Sequence, residues 1–157
     1  MFAKNQMNPA EEIVKFWLQE KGYFLQSSIR LPKNKEIDIL AKKGNESIHF
    51  EVSVSVRMAN YDRNSVELAE GFSERKFLSI KDDVAKLLGE KYSKTLVVGN
   101  VSFKGKDILK EFVQECKKRS ITVLTIQQIL DEIRQTLSTH TYLNSVIKTI
   151  QIANEFK

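Results

Sequence analysis

The sequence predicts an α/β domain with a mixed central sheet flanked by helices, and three observations carry that prediction. At 157 residues the chain suits a single domain, 1–157, that buries about two-thirds of its unfolded surface. With 41% apolar and 29% charged residues, it has the composition of a globular protein rather than a disordered or membrane-embedded one. Helical and strand periodicities alternate along its length, the pattern expected of a sheet with helices on both faces.

The elements follow in order. Asn8 can cap free backbone amides and Pro9 suits the first helical position. Ile13, Val14, Trp17 and Leu18 then fall on one face, and Gly22 is placed to end the helix in a left-handed conformation. Tyr23 to Leu31 reads as extended, Pro32 to Lys35 as a turn, Glu36 to Ala41 as a second strand and Lys42 to Glu46 as a hairpin loop. The third strand, Ser47 to Val56, places Ile48, Phe50, Val52, Val54 and Val56 on a core-facing side. His49, Glu51, Ser53 and Ser55 lie on the other, which should line something polar.

Residues 62–88 read as helical with a break at Gly71, followed by a strand over 94–101, a helix over 105–118 and a strand over 121–126. A C-terminal helical extension of the same domain covers 127–157: Gln127 to Leu137 forms one helix, and Leu143, Val146, Ile147, Ile150, Ala153 and Phe156 mark an amphipathic second.

Several function classes receive no support. No apolar run approaches the roughly 20 residues of a membrane span, and the first seven residues lack the core of a secretory signal. One cysteine excludes an internal disulfide and a multi-cysteine zinc site. An intracellular, cytoplasmic location is therefore expected. The net charge of +5 is compatible with a polyanionic partner.

Asp38 and Glu51 carry the candidate chemistry. The loop between their strands is short enough for a hairpin, so the two side chains can meet. Two carboxylates about 4 Å apart repel by roughly 4 kcal/mol at an effective dielectric near 20, and persist with a proton, a cation or solvent between them. A hard divalent cation, most simply Mg²⁺ with Mn²⁺ as its substitute, resolves the repulsion. Beside a phosphodiester it would activate water and offset charge on phosphate oxygens.

The first-helix glutamate, the aromatic strand after Gly22, the run Glu36-Ile37-Asp38-Ile39 and then Phe50-Glu51-Val52 together resemble the PD-(D/E)xK, or restriction-endonuclease-like, nuclease superfamily. The likeness is greatest to small predicted endonucleases and Holliday-junction-resolvase-like members. It covers about residues 8–57 in motif detail, and the later elements continue that family's αβββαβ core. The resemblance implies a metal-dependent nuclease acting on DNA, with Asp38 and Glu51 as metal ligands and Glu11 assisting from the first helix.

Ser53 departs from the pattern, because the family places a lysine two residues after the second acid. Serine supplies no cation, although its hydroxyl can hold a water. Members of the superfamily move this lysine to another element, and Lys76, on the helix after the strands, is the preferred candidate here. Lys35, by strand parity, should point away from Asp38. Phosphate contacts are expected from Lys35, Lys42, Lys43, Arg57 and Arg63, giving sequence-independent affinity. The alternative is a nuclease-fold protein that lost catalysis with its lysine and acts as a nucleic-acid-binding or assembly subunit. A homodimer through the C-terminal amphipathic helix is a further expectation.

Overall fold

The computed structural model describes residues 8–54, 64–99, 103 and 106–137. Helix α1 spans Pro9–Glu20, and Asn8 caps it by accepting from the Ala10 amide. Gly22, at φ +88°, turns the chain into strand β1, Phe24–Leu31. Lys33 and Asn34, both at positive φ, lead into β2, Lys35–Lys43. The hairpin to β3, Glu46–Ser53, turns on Gly44 at φ +59°, where a two-residue loop favours glycine.

Helix α2, Ser65–Phe72, runs into a π-helical turn, Ser73–Phe77, and a 3₁₀ turn, Leu78–Ile80, before helix α3, Lys81–Leu88. Strand β4 is Ser93–Val98, α4 Lys106–Lys118, β5 Ile121–Thr125 and α5 Ile126–Leu137. The five strands form one sheet in the order β1-β2-β3-β4-β5. The first two pairings are antiparallel and the last two parallel, so the sheet is mixed, as the sequence predicts.

Apolar side chains cover both faces of this sheet. Val14 and Leu18 of α1 and Ile129 and Ile133 of α5 pack on Ile39, Phe50, Val52 and Val97. On the other face, Leu68 and Phe72 of α2 and Phe112 of α4 pack on Leu96, Val98 and Ile121. Each such side chain, fully buried, contributes roughly 1.5–3 kcal/mol. A third cluster joins Ile37 and Leu40 to Ile80 and Val84. Ile37 and Leu40 are three residues apart, whereas a regular strand repeats every second residue, so the alternation of β2 skips at Asp38.

Two expectations are corrected here. Gly71 does not break the helix; the irregularity is the π turn that begins two residues later. Strands three and four end earlier than expected, at Ser53 and Val98. On the polar side of β3, Glu51 and Ser53 line a cavity, while His49 is fully buried against Phe77 and Tyr92. The residues that mark the last amphipathic helix, Leu143 to Phe156, lie outside the described residues, as does the dimer surface expected of them. Among the described residues, no helix is long and apolar enough to cross a membrane.

Candidate active site

The sheet ladder is interrupted at Asp38, and the interruption builds the site. The paired residues of β1 and β2 run from Phe24–Lys42 to Leu31–Lys35 with Ser28 and Asp38 left unpaired. On the other side, the β2–β3 pairing ends at Ile39–Phe50. Where the next pair would lie, side chains replace backbone partners. The Val52 amide donates to Asp38 Oδ2 at 2.9 Å, and the Asp38 amide donates to Glu51 Oε1 at 3.4 Å. Each carboxylate is thus fixed to the neighbouring strand.

Both acids open onto a cavity of about 630 Å³, which Glu11, Ser53 and Lys76 also line, together with Asn34, Lys35, Glu36, Arg75 and Ser79. Glu11 occupies the third position of α1, where Asn8 Nδ2 donates to its Oε1 at 3.3 Å, and it points over the sheet end from the helix layer. Lys76 comes from the opposite layer. The π turn brings its Nζ to 3.9 Å from Glu51 Oε2, with the lysine side chain 40% exposed and the glutamate 1%. An extra residue in a helical turn shifts the direction of the side chains that follow it, which is how this element presents Lys76 to the sheet.

Electrostatics match the crowding of acids. Burial, then the Glu51 charge, pushes Asp38 up to about 7, with Lys76 pulling the other way. Burial also pushes Glu51 up to about 7 against the lowering effects of Asp38 and Lys76. Glu11 rises to about 7 through burial and then the charges of Asp38 and Glu36. The acids therefore hold protons near neutrality, and a divalent cation would displace them.

His49 Nε2 lies 2.7 Å from Glu51 Oε1. Burial pushes this imidazole down to about 4, so the contact is a hydrogen bond with a neutral ring rather than an ion pair. The signal in the sequence was its position two residues before Glu51 on the same side of the strand, and its complete burial was not visible there.

The remaining candidates divide by position. Lys35 does not point away: it lines the cavity with Asp38, and its Nζ donates to the Ser79 carbonyl at 2.9 Å. The skip at Asp38 defeats parity counting, and a long side chain at a strand start can reach around it. Lys42 and Lys43 lie at the far end of β2, roughly 13–17 Å along the strand from Asp38 at about 3.3 Å per residue. Lys43 instead donates to the Lys21 carbonyl at 2.6 Å. Arg57 and Arg63 fall outside the described residues. Asn34, Glu36, Arg75 and Ser79 also join the cavity walls: Asn34 and Glu36 flank Lys35, Arg75 flanks Lys76 on the π turn, and Ser79 lies in the 3₁₀ turn that follows.

Among the described residues, no three His, Cys, Asp or Glu side chains converge into a metal cage. Mg²⁺ needs no such cage, since it uses one or two carboxylates and keeps its other positions for water and phosphate oxygens. Asp38 and Glu51, hard oxygen donors beside an open cavity, fit that demand.

No protein-family model matches the chain, and no curated protein matches it in sequence. In fold it is similar to the crystal structure of the protein of unknown function AF1548, with a TM-score of 0.51 and 19% identity. The match covers 80% of this chain and 66% of that one. Likeness at this identity speaks to the mixed α/β fold alone.

Proposed function

We propose that the protein is a metal-dependent nuclease of the restriction-endonuclease-like kind, hydrolysing phosphodiester bonds in DNA. One observation carries the reading: the Lys76 ammonium stands beside Glu51 at a site where two strand-borne acids, Asp38 and Glu51, are locked by reciprocal backbone hydrogen bonds. This lysine stands in for the cation that Ser53 cannot provide.

Asp38 and Glu51 would hold Mg²⁺ or Mn²⁺ through their carboxylate oxygens, with Oδ2 and Oε1 already engaged by the Val52 amide, the Asp38 amide and His49. Once bound, such a cation lowers the pKa of water and offsets charge on the phosphate. Lys76 places a second positive charge where negative charge grows on the phosphorus oxygens, and Ser53 offers a hydroxyl to orient a water. Glu11, held by Asn8, faces the same space and can accept a proton as the water attacks. Lys35 and Arg75 line the wall where the flanking phosphates would run.

Cleavage of supercoiled and branched DNA with Mg²⁺ or Mn²⁺ tests the reading, with Asp38→Ala as control. Equal inertness of wild type and variant would sink it. Salt-sensitive binding without cleavage would instead favour a binding subunit built on the same fold.

A further inference from the structure

We infer that His49 is a positioning residue that holds Glu51 in one orientation, occupying Oε1 so that Oε2 alone is offered to the cavity and its cation. The inference rests on the metal-dependent reading above.

His49 and Glu51 are two residues apart on β3 and therefore share a side of the sheet. The imidazole is fully buried. Its ring meets Phe77 edge-on with centroids 5.0 Å apart, and Tyr92 lies at 6.3 Å. These contacts leave the ring little freedom to turn. Its Nε2 is 2.7 Å from Glu51 Oε1, and Nδ1 has no hydrogen-bond partner among the described residues.

That asymmetry assigns the proton. A hydrogen on Nδ1 would be a buried donor without an acceptor, while a bare Nε2 would set its lone pair against the oxygen of the ionised Glu51 that metal binding requires. The proton therefore sits on Nε2 and points at Oε1. The Asp38 amide approaches the same oxygen at 3.4 Å, so Oε1 has two donors. Oε2 has the Lys76 ammonium at 3.9 Å and the open cavity.

Phe77 links the two sides of Glu51. It follows Lys76 in the π turn, so the turn that supplies the cation to Oε2 also packs on the ring that clamps Oε1. Partners of this kind orient a ligand before the metal arrives, and losing one typically weakens metal binding by about 10–100-fold.

The test is Mn²⁺ titrated alone, with the free ion followed by electron paramagnetic resonance, on wild type, His49→Phe and His49→Gln, each checked for folding by thermal melting. The wild type should bind, His49→Phe should bind about 10–100-fold more weakly, and His49→Gln, whose amide can donate to Oε1, should recover most of that loss. A folded His49→Phe that binds as tightly as wild type overturns the positioning role while leaving the metal reading intact. Wild type that binds no Mn²⁺ overturns both. A second measurement needs no variant: nitrogen–proton correlation spectra of the wild-type imidazole should show the proton on Nε2, and an Nδ1–H tautomer would refute the proposal.

Discussion

The Lys76 ammonium lies 3.9 Å from Glu51 Oε2, although 25 positions separate the two in sequence and they belong to different layers. The position two residues after Glu51, where the resemblance calls for a lysine, is held by Ser53, which lines the same cavity. If Lys76 has taken over that role, Lys76→Ala should lower the cleavage rate by about 10²–10³-fold, the usual effect of removing one well-placed stabiliser of transition-state charge. The double variant Lys76→Ala with Ser53→Lys should recover a substantial part of that loss. Rates under saturating Mg²⁺ check it, and an unimpaired Lys76→Ala would return the lysine to the status of a wall residue.

Asp38 has two separable tasks, one by charge and one by hydrogen bonding. Asp38→Asn can still accept from the Val52 amide, and it removes a charge from a cavity that also contains Glu11, Glu36 and Glu51. In a chelator at pH 8 its stability should equal or exceed that of wild type. Asp38→Ala strands the buried amide and should cost about 1–3 kcal/mol. Both variants should lose cleavage by at least about 100-fold through lost metal binding. Urea denaturation decides between them; equal destabilisation of the two would show that the hydrogen bond to Val52 contributes nothing.

These assignments show how far the chain could be read unaided. Asn8-Pro9 and Gly22 bracket the first helix because their effects are local: a cap, a fixed φ and a left-handed residue. The pairing of Asp38 with Glu51 followed from a short hairpin. What resisted reading depends on tertiary contact. Ser73–Phe77 has an ordinary helical composition, and nothing in it announces a π turn. The burial of His49 was not legible, because strand alternation gives a side and not what covers it. Lys35 was placed on the wrong side because parity fails wherever a strand skips, as β2 does at Asp38.

Acidity and metal should act together on stability. Glu11, Asp38 and Glu51 bind protons more tightly folded than unfolded, each raised to about 7 from ordinary values of 4.5, 3.8 and 4.5. The stability they confer is therefore fully present below the unfolded values and is lost as pH rises toward 7. His49 runs the other way: lowered from 6.5 to about 4, it contributes stability that is present above 6.5 and lost as pH falls toward 4. Between about pH 4.5 and 6.5 three groups oppose one, so stability in a chelator should decline with rising pH. Mg²⁺, which competes with those protons, should raise the melting temperature more at pH 7.5 than at pH 5. Thermal melts across that range, with and without Mg²⁺, would count against the arrangement if the metal effect were independent of pH.

The skip in β2 has a counterpart in β1. Ser28, the unpaired residue facing Asp38 across the ladder, sits at φ +52°, a region where a side chain costs roughly 1–2 kcal/mol and glycine does not. Ser28→Gly should therefore stabilise the protein by about 0.5–1 kcal/mol, after allowance for the greater freedom of glycine in the unfolded chain. Ser27→Gly, one residue away in the regular ladder, should destabilise it by a similar amount. Opposite signs for adjacent serine-to-glycine changes would mark the irregularity as a built feature of the sheet beside Asp38. If both variants lose stability alike in chemical denaturation, β1 is an ordinary strand there, and the displacement of Asp38 must come from β3 alone.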